Sequence, residues 1–247
     1  MSWLATGRWP APCPICRQWT RGGLCSPCLQ RFAAPQSRCT GCGLALAADA
    51  LTAASSQAPR CGRCIEEPPP VTGTLAALDY GFPWDGLIAA MKFGGRPEMA
   101  GLLVKPLLEV IQQDKQHSAK AVELLLPVPL FEKRAQRRGY NQSWELARRL
   151  GKALDRPAHA DWLLRWRATE TQSLLADPAA RRANLRGAFL LSTAGSRLLA
   201  GKRVALVDDV MTTGATAFEA ARTLQQAGAA QVWLWVLART PTAAPKD

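Results

Sequence analysis

The hydrophobic pattern after residue 70 alternates between short apolar runs and longer amphipathic stretches. Short apolar runs bounded by Gly, Pro or charged residues predict buried strands, and amphipathic stretches predict helices. Strands that alternate with helices are typical of a parallel sheet with helices on both faces. The predicted strands cover 75–80, 122–128, 162–166, 203–207 and 231–238. The predicted helices cover 84–93, 99–113 and 216–227. A further helix is predicted to be capped by Asn141, and its apolar face consists of Trp144, Ala147, Leu150 and Leu154.

The first 64 residues have few core-forming runs and contain all eight cysteines of the chain. The cysteines form four Cys-x-x-Cys pairs, and this spacing lets both sulfurs of a pair reach one tetrahedral ion. We expect no disulfides, because the N-terminus lacks the pattern of an export signal. Redox-active pairs and an iron–sulfur cluster are the alternatives to zinc. The spacing favours two structural zinc sites, with the ligands Cys13, Cys16, Cys25, Cys28, Cys39, Cys42, Cys61 and Cys64.

The four pairs can be grouped in two ways. Sequential grouping joins the first pair with the second and the third with the fourth, whereas interleaved grouping joins the first with the third and the second with the fourth. We favour the sequential grouping. Either way, no coordination position is left open, so the zinc is expected to stabilise the fold rather than to react. The Pro-rich stretch that ends at residue 70 predicts a boundary between a zinc module (1–70) and a second domain (71–247).

Charge is concentrated in one part of the chain. The net charge is +12, and residues 131–203 hold 16 basic and six acidic side chains. Of the 31 basic residues 23 are arginine, whose planar fork matches phosphate. Basic residues spread evenly along the chain would indicate that they only keep the protein soluble. Their concentration in one stretch favours an anionic partner: a phosphorylated small molecule, a nucleic acid, or both. No apolar run approaches the length of a membrane span, so we expect no stable membrane insertion.

The most informative motif runs from Val204 to Thr216. An apolar strand leads into Asp208 and Asp209, and a Thr/Gly loop and a helix follow. Backbone N–H groups, hydroxyls and a helix N-terminus meet in such a loop and favour phosphate, and Gly214 permits a close approach. Carboxylates can accept hydrogen bonds from a diol. The motif therefore predicts a sugar-phosphate site, and an ordinary turn with surface acids is the alternative.

Residues 204–216 resemble the phosphoribosyl pyrophosphate signature of type I phosphoribosyltransferases. The whole chain resembles the ComF/GntX family of competence-associated phosphoribosyltransferase-like proteins. The cysteine pairs, Pro127–Pro129, the motif Arg137–Gln142 and the 204–216 signature occur in that family's order. This resemblance implies an α/β fold, a type I phosphoribosyltransferase-like parallel sheet with helices on both faces, preceded by a small N-terminal zinc module.

The resemblance also implies roles for matched residues. The ribose hydroxyls would be held by Asp208 and Asp209, and pyrophosphate would bind at 129–134, where Arg134 is expected to act in catalysis. Magnesium would accompany the substrate. Residues 168–187 would form a lid, with Thr171, Gln172, Arg181, Arg182, Asn184 and Arg186 available to close over the site. The remaining ligand-binding residues would be Thr212, Thr213, Gly214, Ala215 and Thr216 for the 5′-phosphate and Arg137 and Arg138 near the pyrophosphate.

These expectations define a cytoplasmic protein that binds phosphoribosyl pyrophosphate, acts as a phosphoribosyltransferase, and serves natural competence through single-stranded DNA and competence-machinery proteins. A non-catalytic single-stranded nucleic-acid-binding or scaffold protein on the same fold is one alternative. A nucleotide-salvage phosphoribosyltransferase is another. Trp144, Trp162 and Trp166 could stack on bases, although large aromatic residues are more often buried. Neither His117 nor His159 is expected to be a general base, and the acceptor stays open.

Overall fold

The computed structural model describes residues 10–47, 59–114, 118–167 and 186–241. Short elements precede residue 70, and strands alternate with helices after it. The strands are β1 (Ala11–Pro12), β2 (Trp19–Thr20), β3 (Gly73–Asp79), β4 (Leu124–Pro127), β5 (Leu163–Arg165), β6 (Phe189–Leu191), β7 (Arg203–Met211) and β8 (Gln231–Arg239). The helices are α1 (Ser26–Phe32), α2 (Gly62–Glu66), α3 (Trp84–Phe93), α4 (Ala100–Gln113), α5 (Ser118–Ala121), α6 (Glu132–Arg138), α7 (Gln142–Leu154), α8 (Thr193–Leu198) and α9 (Ala215–Gln226), with a 3₁₀ turn at Pro97–Met99.

The central sheet has four parallel strands in the order β3-β8-β7-β4 among the described residues. Its two inner strands, β7 and β8, are buried almost throughout, which explains their nearly continuous apolar runs. In the register of the sheet, Leu206 of β7 lies between Leu126 of β4 and Leu234 of β8. Because all four strands are parallel, their carboxyl ends meet at one edge of the sheet, where ligands bind in folds of this kind.

Helices cover both faces of this sheet, as the alternating pattern predicts. Leu125, Val207 and Trp235 belong to a core that they share with α3, α4 and α7. The neighbouring positions Leu126 and Leu206 belong to a second core beneath α9. Successive side chains of a strand point to opposite faces, so the two cores lie on opposite sides of the sheet. The α/β fold class is therefore confirmed.

The two cysteine-containing segments contact different faces of the sheet domain. The segment that carries the first four cysteines packs on the side of α3 and α4, where Trp84 Nε1 donates to the Phe32 carbonyl at 2.8 Å. The segment with the last four packs on the side of α9. Its Thr40 carbonyl accepts from the backbone N–H of Thr74 at 2.7 Å, and Arg38 pairs with Asp79 at 2.7 Å. These bonds join residues on the two sides of the boundary expected at residue 70.

Several elements differ from the sequence prediction. The strand expected to end at Val207 continues to Met211, because Asp208 and Val210 still pair with β8. The strand expected at 162–166 forms a two-stranded antiparallel sheet with β6, which the pattern does not predict. The lid expected at 168–187, including Thr171, Gln172, Arg181, Arg182 and Asn184, lies outside the described residues except for Arg186 and Gly187. Among the helices that the structure describes, none is long and apolar enough to cross a membrane.

Candidate functional site

An open cleft lies at the carboxyl ends of β4 and β7, with a volume of about 280 Å³. The segment after β4, the end of β7 and the start of α9 form its floor, and side chains of α3, α6, α7 and β5 form its walls. Its polar and charged lining residues are Lys92, Arg134, Arg138, Gln142, Ser143, Arg165, Asp208, Asp209, Thr212 and Thr216. The cleft thus brings together residues that are up to 125 positions apart in the chain, from Lys92 to Ala217.

Asp208 and Asp209 are buried at the end of β7 and are held by neighbouring polar groups. The Asp208 Oδ1 accepts hydrogen bonds from Ser143 Oγ at 3.1 Å and from the backbone N–H of Asp209 at 3.0 Å. Lys92 Nζ lies 3.0 Å from Asp209 Oδ2. Burial and the neighbouring carboxylate of Asp209 raise the pKa of Asp208 to about 7, and Lys92 and Ser143 only partly oppose this effect. Asp208 therefore keeps its proton to a higher pH than an exposed aspartate does.

Residues 212–216, here called the phosphate loop, connect β7 to α9. Gly214 has a φ of +83°, and a Cβ at this position would lie 2.5 Å from the Phe218 ring, so the loop needs glycine there. Four of its five residues line the cleft, namely Thr212, Gly214, Ala215 and Thr216. Thr213 does not. It lines a groove on another side of the loop, and its carbonyl accepts from Arg63 Nη2 at 3.1 Å.

Four basic side chains line the cleft among the described residues: Lys92, Arg134, Arg138 and Arg165. Arg138 donates to Gln142 Oε1 at 2.7 Å and lies over the Phe93 ring, and its partial burial lowers its pKa. Burial also lowers the pKa of Arg165 to about 10, and the charge of Arg134 acts in the same direction. The charge of Arg134 thus disfavours the charged forms of Arg138 and Arg165, and an anionic ligand would relieve this repulsion.

The structure brings most of the predicted site residues together but not all of them. Arg137 is exposed and does not line the cleft, unlike Arg134 and Arg138 on the same helix. Lys92 and Arg165 were not predicted from the sequence. Lys92 sits in the last turn of α3, where a cation is a common helix-ending residue, and Arg165 is a lone basic residue in a short strand. Neither position carries a local signal of ligand binding.

The eight cysteines form two clusters in the sequential grouping. The first cysteine cluster contains Cys13, Cys16, Cys25 and Cys28, and the second cysteine cluster contains Cys39, Cys42, Cys61 and Cys64. Within each cluster the four sulfurs lie within 4.8 Å of one another. Two of these separations are 3.5 Å (Cys16–Cys25) and 3.7 Å (Cys42–Cys61), close to the edge of about 3.8 Å that four Zn–S bonds of about 2.3 Å define.

Electrostatics in the second cysteine cluster also fits a metal ion. A hydrogen bond from Cys42 lowers the pKa of Cys39 to about 4, and the same pairing raises the pKa of Cys42. Four sulfurs this close cannot all ionise unless a cation lies among them. A zinc ion supplies that charge, so both clusters could hold structural zinc.

Comparison with known proteins identifies relatives over nearly the full length. The chain is 36% identical over 238 residues to the DNA utilization protein YhgH of Escherichia coli O157:H7, which covers 94% of this chain and 98% of the relative. It is 34% identical over 220 residues to competence protein F of Haemophilus influenzae, covering 89% of this chain and 91% of the relative. The chain belongs to the ComF/GntX family. The resemblance inferred from its motifs is confirmed.

Two other comparisons add little to the ComF/GntX assignment. No family model matches the chain. Among solved structures, glutamine phosphoribosylpyrophosphate amidotransferase from B. subtilis aligns with 58% of this chain and 26% of its own, at 19% identity and a TM-score of 0.36. A TM-score this low supports no conclusion about the site of this ComF/GntX protein.

Proposed function

We propose that the chain binds phosphoribosyl pyrophosphate and transfers its phosphoribosyl group. The observation that carries this proposal is the content of one cleft: two buried carboxylates, a loop at a helix N-terminus and four cations. A sugar diol, a terminal phosphate and a pyrophosphate are three groups of one molecule that match these three kinds of partner.

The phosphate loop would bind the 5′-phosphate. It opens α9, a helix of 12 residues, so the backbone N–H groups of the first turn and the positive end of the helix dipole meet at this point. The left-handed conformation of Gly214 at the N-cap lets the backbone approach the ligand closely. Thr212 and Thr216 also line the cleft, and a threonine hydroxyl can donate to a phosphate oxygen.

Asp208 and Asp209 would accept hydrogen bonds from the ribose 2′ and 3′ hydroxyls. Both carboxylates are held in place by their neighbours, Asp208 by Ser143 and Asp209 by Lys92. The two side chains therefore lose little conformational entropy when the ligand binds. Carboxylate oxygens are also suitable ligands for magnesium. Magnesium bound together with the substrate would neutralise part of the negative charge that develops on the pyrophosphate.

The cations would stabilise the departing pyrophosphate. Arg134 and Arg138 stand on α6, directly after the segment that follows β4, and Arg165 faces the same cleft from β5. Negative charge accumulates on the leaving group as its bond to C1′ of the ribose breaks. Fixed positive charges in a half-buried cleft stabilise that charge more strongly than water does. Catalysis then needs positioning and charge rather than a nucleophilic side chain.

A link to DNA is supported by the names of the relatives and by α6. The relatives are named for DNA utilization and competence. Helix α6 carries Lys133, Arg134, Arg137 and Arg138, and none of its residues is buried. An exposed basic helix beside the cleft suits the backbone of single-stranded DNA, with competence-machinery proteins as further partners. The same observation supports a second candidate, a DNA-binding protein without turnover. We place the protein in the cytoplasm, because the eight cysteines form no disulfide and reduced cysteines could bind zinc there.

Calorimetry with phosphoribosyl pyrophosphate tests the proposal. The double variant Asp208→Asn/Asp209→Asn should bind at least about 100-fold more weakly, since each lost bond to a charged group contributes about 1.5–3 kcal/mol. The control is Asp155→Asn/Asp161→Asn, which removes the same charge from exposed residues outside the cleft. Unchanged affinity in the folded Asp208/Asp209 variant would refute the site. Release of pyrophosphate with and without single-stranded DNA then separates transfer from binding alone.

A further inference from the structure

The phosphate loop is held from behind by the second cysteine cluster. Arg63 lies inside the pair Cys61–Cys64, and its Nη2 donates to the Thr213 carbonyl at 3.1 Å. Arg239, at the end of β8, donates from Nε to the Cys42 carbonyl at 3.0 Å and from Nη1 to the Met211 carbonyl at 3.3 Å. Both cysteine pairs of this cluster are thus tied by an arginine to the backbone at the phosphate loop.

The bonded carbonyls determine where the neighbouring N–H groups point. In a trans peptide, the C=O of one residue and the N–H of the next point in opposite directions. The carbonyl of Thr213 shares its peptide unit with the N–H of Gly214, and the carbonyl of Met211 shares its unit with the N–H of Thr212. Arg63 holds the Thr213 carbonyl on the side of the cysteine cluster. The Met211 carbonyl is held by Arg239 together with the backbone N–H of Thr240, which lies 3.0 Å from the Met211 oxygen. The two N–H groups are therefore directed away from these donors.

We propose that Arg63 and Arg239 are positioning residues, which prepare the loop for phosphate by turning its carbonyls towards the second cysteine cluster. A carbonyl that rotated into the cleft would repel an anion and remove a donor at the same time. The inference rests on the proposed function in that it takes the ligand of the loop to be a phosphate. It goes beyond that function because it makes a cysteine cluster outside the cleft part of the binding machinery.

The first cysteine cluster provides the contrast. Its segment packs on the opposite face of the sheet, against α3 and α4, through contacts such as Trp84 with the Phe32 carbonyl. Loss of a ligand from the second cluster should therefore disturb the phosphate loop, whereas loss of a ligand from the first should not. Cys61→Ser and Cys16→Ser form a matched pair for this comparison.

The main variant is Arg63→Ala, because the Arg63 bond is exposed and its loss leaves the core intact, whereas Arg239 is buried. Its control is Arg38→Ala. Arg38 also belongs to the second cysteine segment, but it bonds to Gly43 and Asp79 rather than to the loop. Nuclear magnetic resonance gives order parameters for the loop amides without any ligand. In Arg63→Ala the value at Gly214 should fall from about 0.85 towards 0.6, whereas Thr212, whose peptide unit Arg239 still holds, should keep its value.

Binding is then measured with two probes, ribose 5-phosphate and inorganic pyrophosphate. Arg63→Ala should weaken ribose 5-phosphate about three- to tenfold and leave pyrophosphate unchanged, because the loop holds only the 5′-phosphate. Unchanged order parameters in Arg63→Ala, or equal effects of Cys61→Ser and Cys16→Ser on the loop, would overturn the inference. If the wild-type chain binds neither probe, the proposed function is wrong, and the order parameters still decide whether the cluster positions the loop.

Discussion

Replacing Asp208 by asparagine should make the protein more stable at neutral pH while it weakens the ribose site. Burial and the charge of Asp209 raise the pKa of Asp208 to about 7 in the folded chain. In the unfolded chain an aspartate titrates near its ordinary value of about 3.9. The folded state therefore binds the proton more tightly than the unfolded state does. Asparagine keeps an oxygen that can accept from Ser143 Oγ and from the N–H of Asp209, but it carries no charge.

The sign and size of the effect follow from linkage. Where the folded pKa lies above the unfolded one, stability falls as pH rises between the two values, and it levels off above the folded pKa. Each unit of difference corresponds to about 1.4 kcal/mol, so three units give at most about 4 kcal/mol above pH 7. Between pH 5.5 and pH 7 the wild-type protein should lose about 2 kcal/mol relative to the Asp208→Asn variant.

Urea unfolding of both proteins at intervals from pH 5.5 to pH 8 measures this difference. Both proteins carry the same cysteine clusters, so the pH dependence of metal binding cancels in the comparison. Glu145→Gln is the control of opposite sign. Burial raises the pKa of Glu145, but Arg148 and Arg149 outweigh it and hold the pKa below its ordinary value, so this variant should be less stable than wild type at neutral pH. A difference for Asp208→Asn that stays constant with pH would refute the reasoning.

Two further predictions concern the metal and DNA. Elemental analysis of the protein under reducing conditions should find two zinc ions per chain. Protein that contains no zinc, or that shows the absorption band of an iron–sulfur cluster, would contradict the assignment of the cysteine clusters to zinc. The binding of single-stranded DNA, measured by fluorescence anisotropy, should weaken as the salt concentration rises. In a plot of log binding constant against log salt concentration, Lys133→Ala/Arg137→Ala should make the slope shallower by about 1.4, since each phosphate contact contributes about 0.7. Arg197→Ala, an exposed change outside the cleft, is the control, and a flat salt response would exclude a backbone groove on α6.

The sequence pattern predicts the elements that are long or buried. The helix expected at 84–93 has these bounds in the structure, and the strand expected at 231–238 ends one residue later. Shorter elements escape prediction for physical reasons. β6 has three residues, too few to show a period of two. α6 buries no residue, so it has no apolar face to create a period of 3.6.

The candidate site divides in a similar way. Asp208, Asp209 and the phosphate loop follow one another along the chain, so a local motif is enough to predict them. Lys92 and Arg165 reach the same cleft from α3 and β5, and only the packing of the sheet brings these elements to its carboxyl edge. The contact between Arg63 and the loop joins residues 150 positions apart, and Cys-x-x-Cys spacing alone gives no sign of it.

The buried carboxylates help to distinguish which ligand belongs in the cleft and which outside it. A surface that follows only a phosphate backbone needs cations, and two acids among them would oppose binding. The buried carboxylate of Asp208 moreover lowers the folding stability at neutral pH. A stability cost of this kind indicates that Asp208 contacts a ligand in the cleft. A ribose offers two neighbouring hydroxyls to such a pair, whereas the deoxyribose of a DNA backbone lacks the 2′ hydroxyl. We therefore infer that the phosphoribosyl group occupies the cleft at Asp208 and Asp209, and that DNA follows the exposed basic face of α6 beside it.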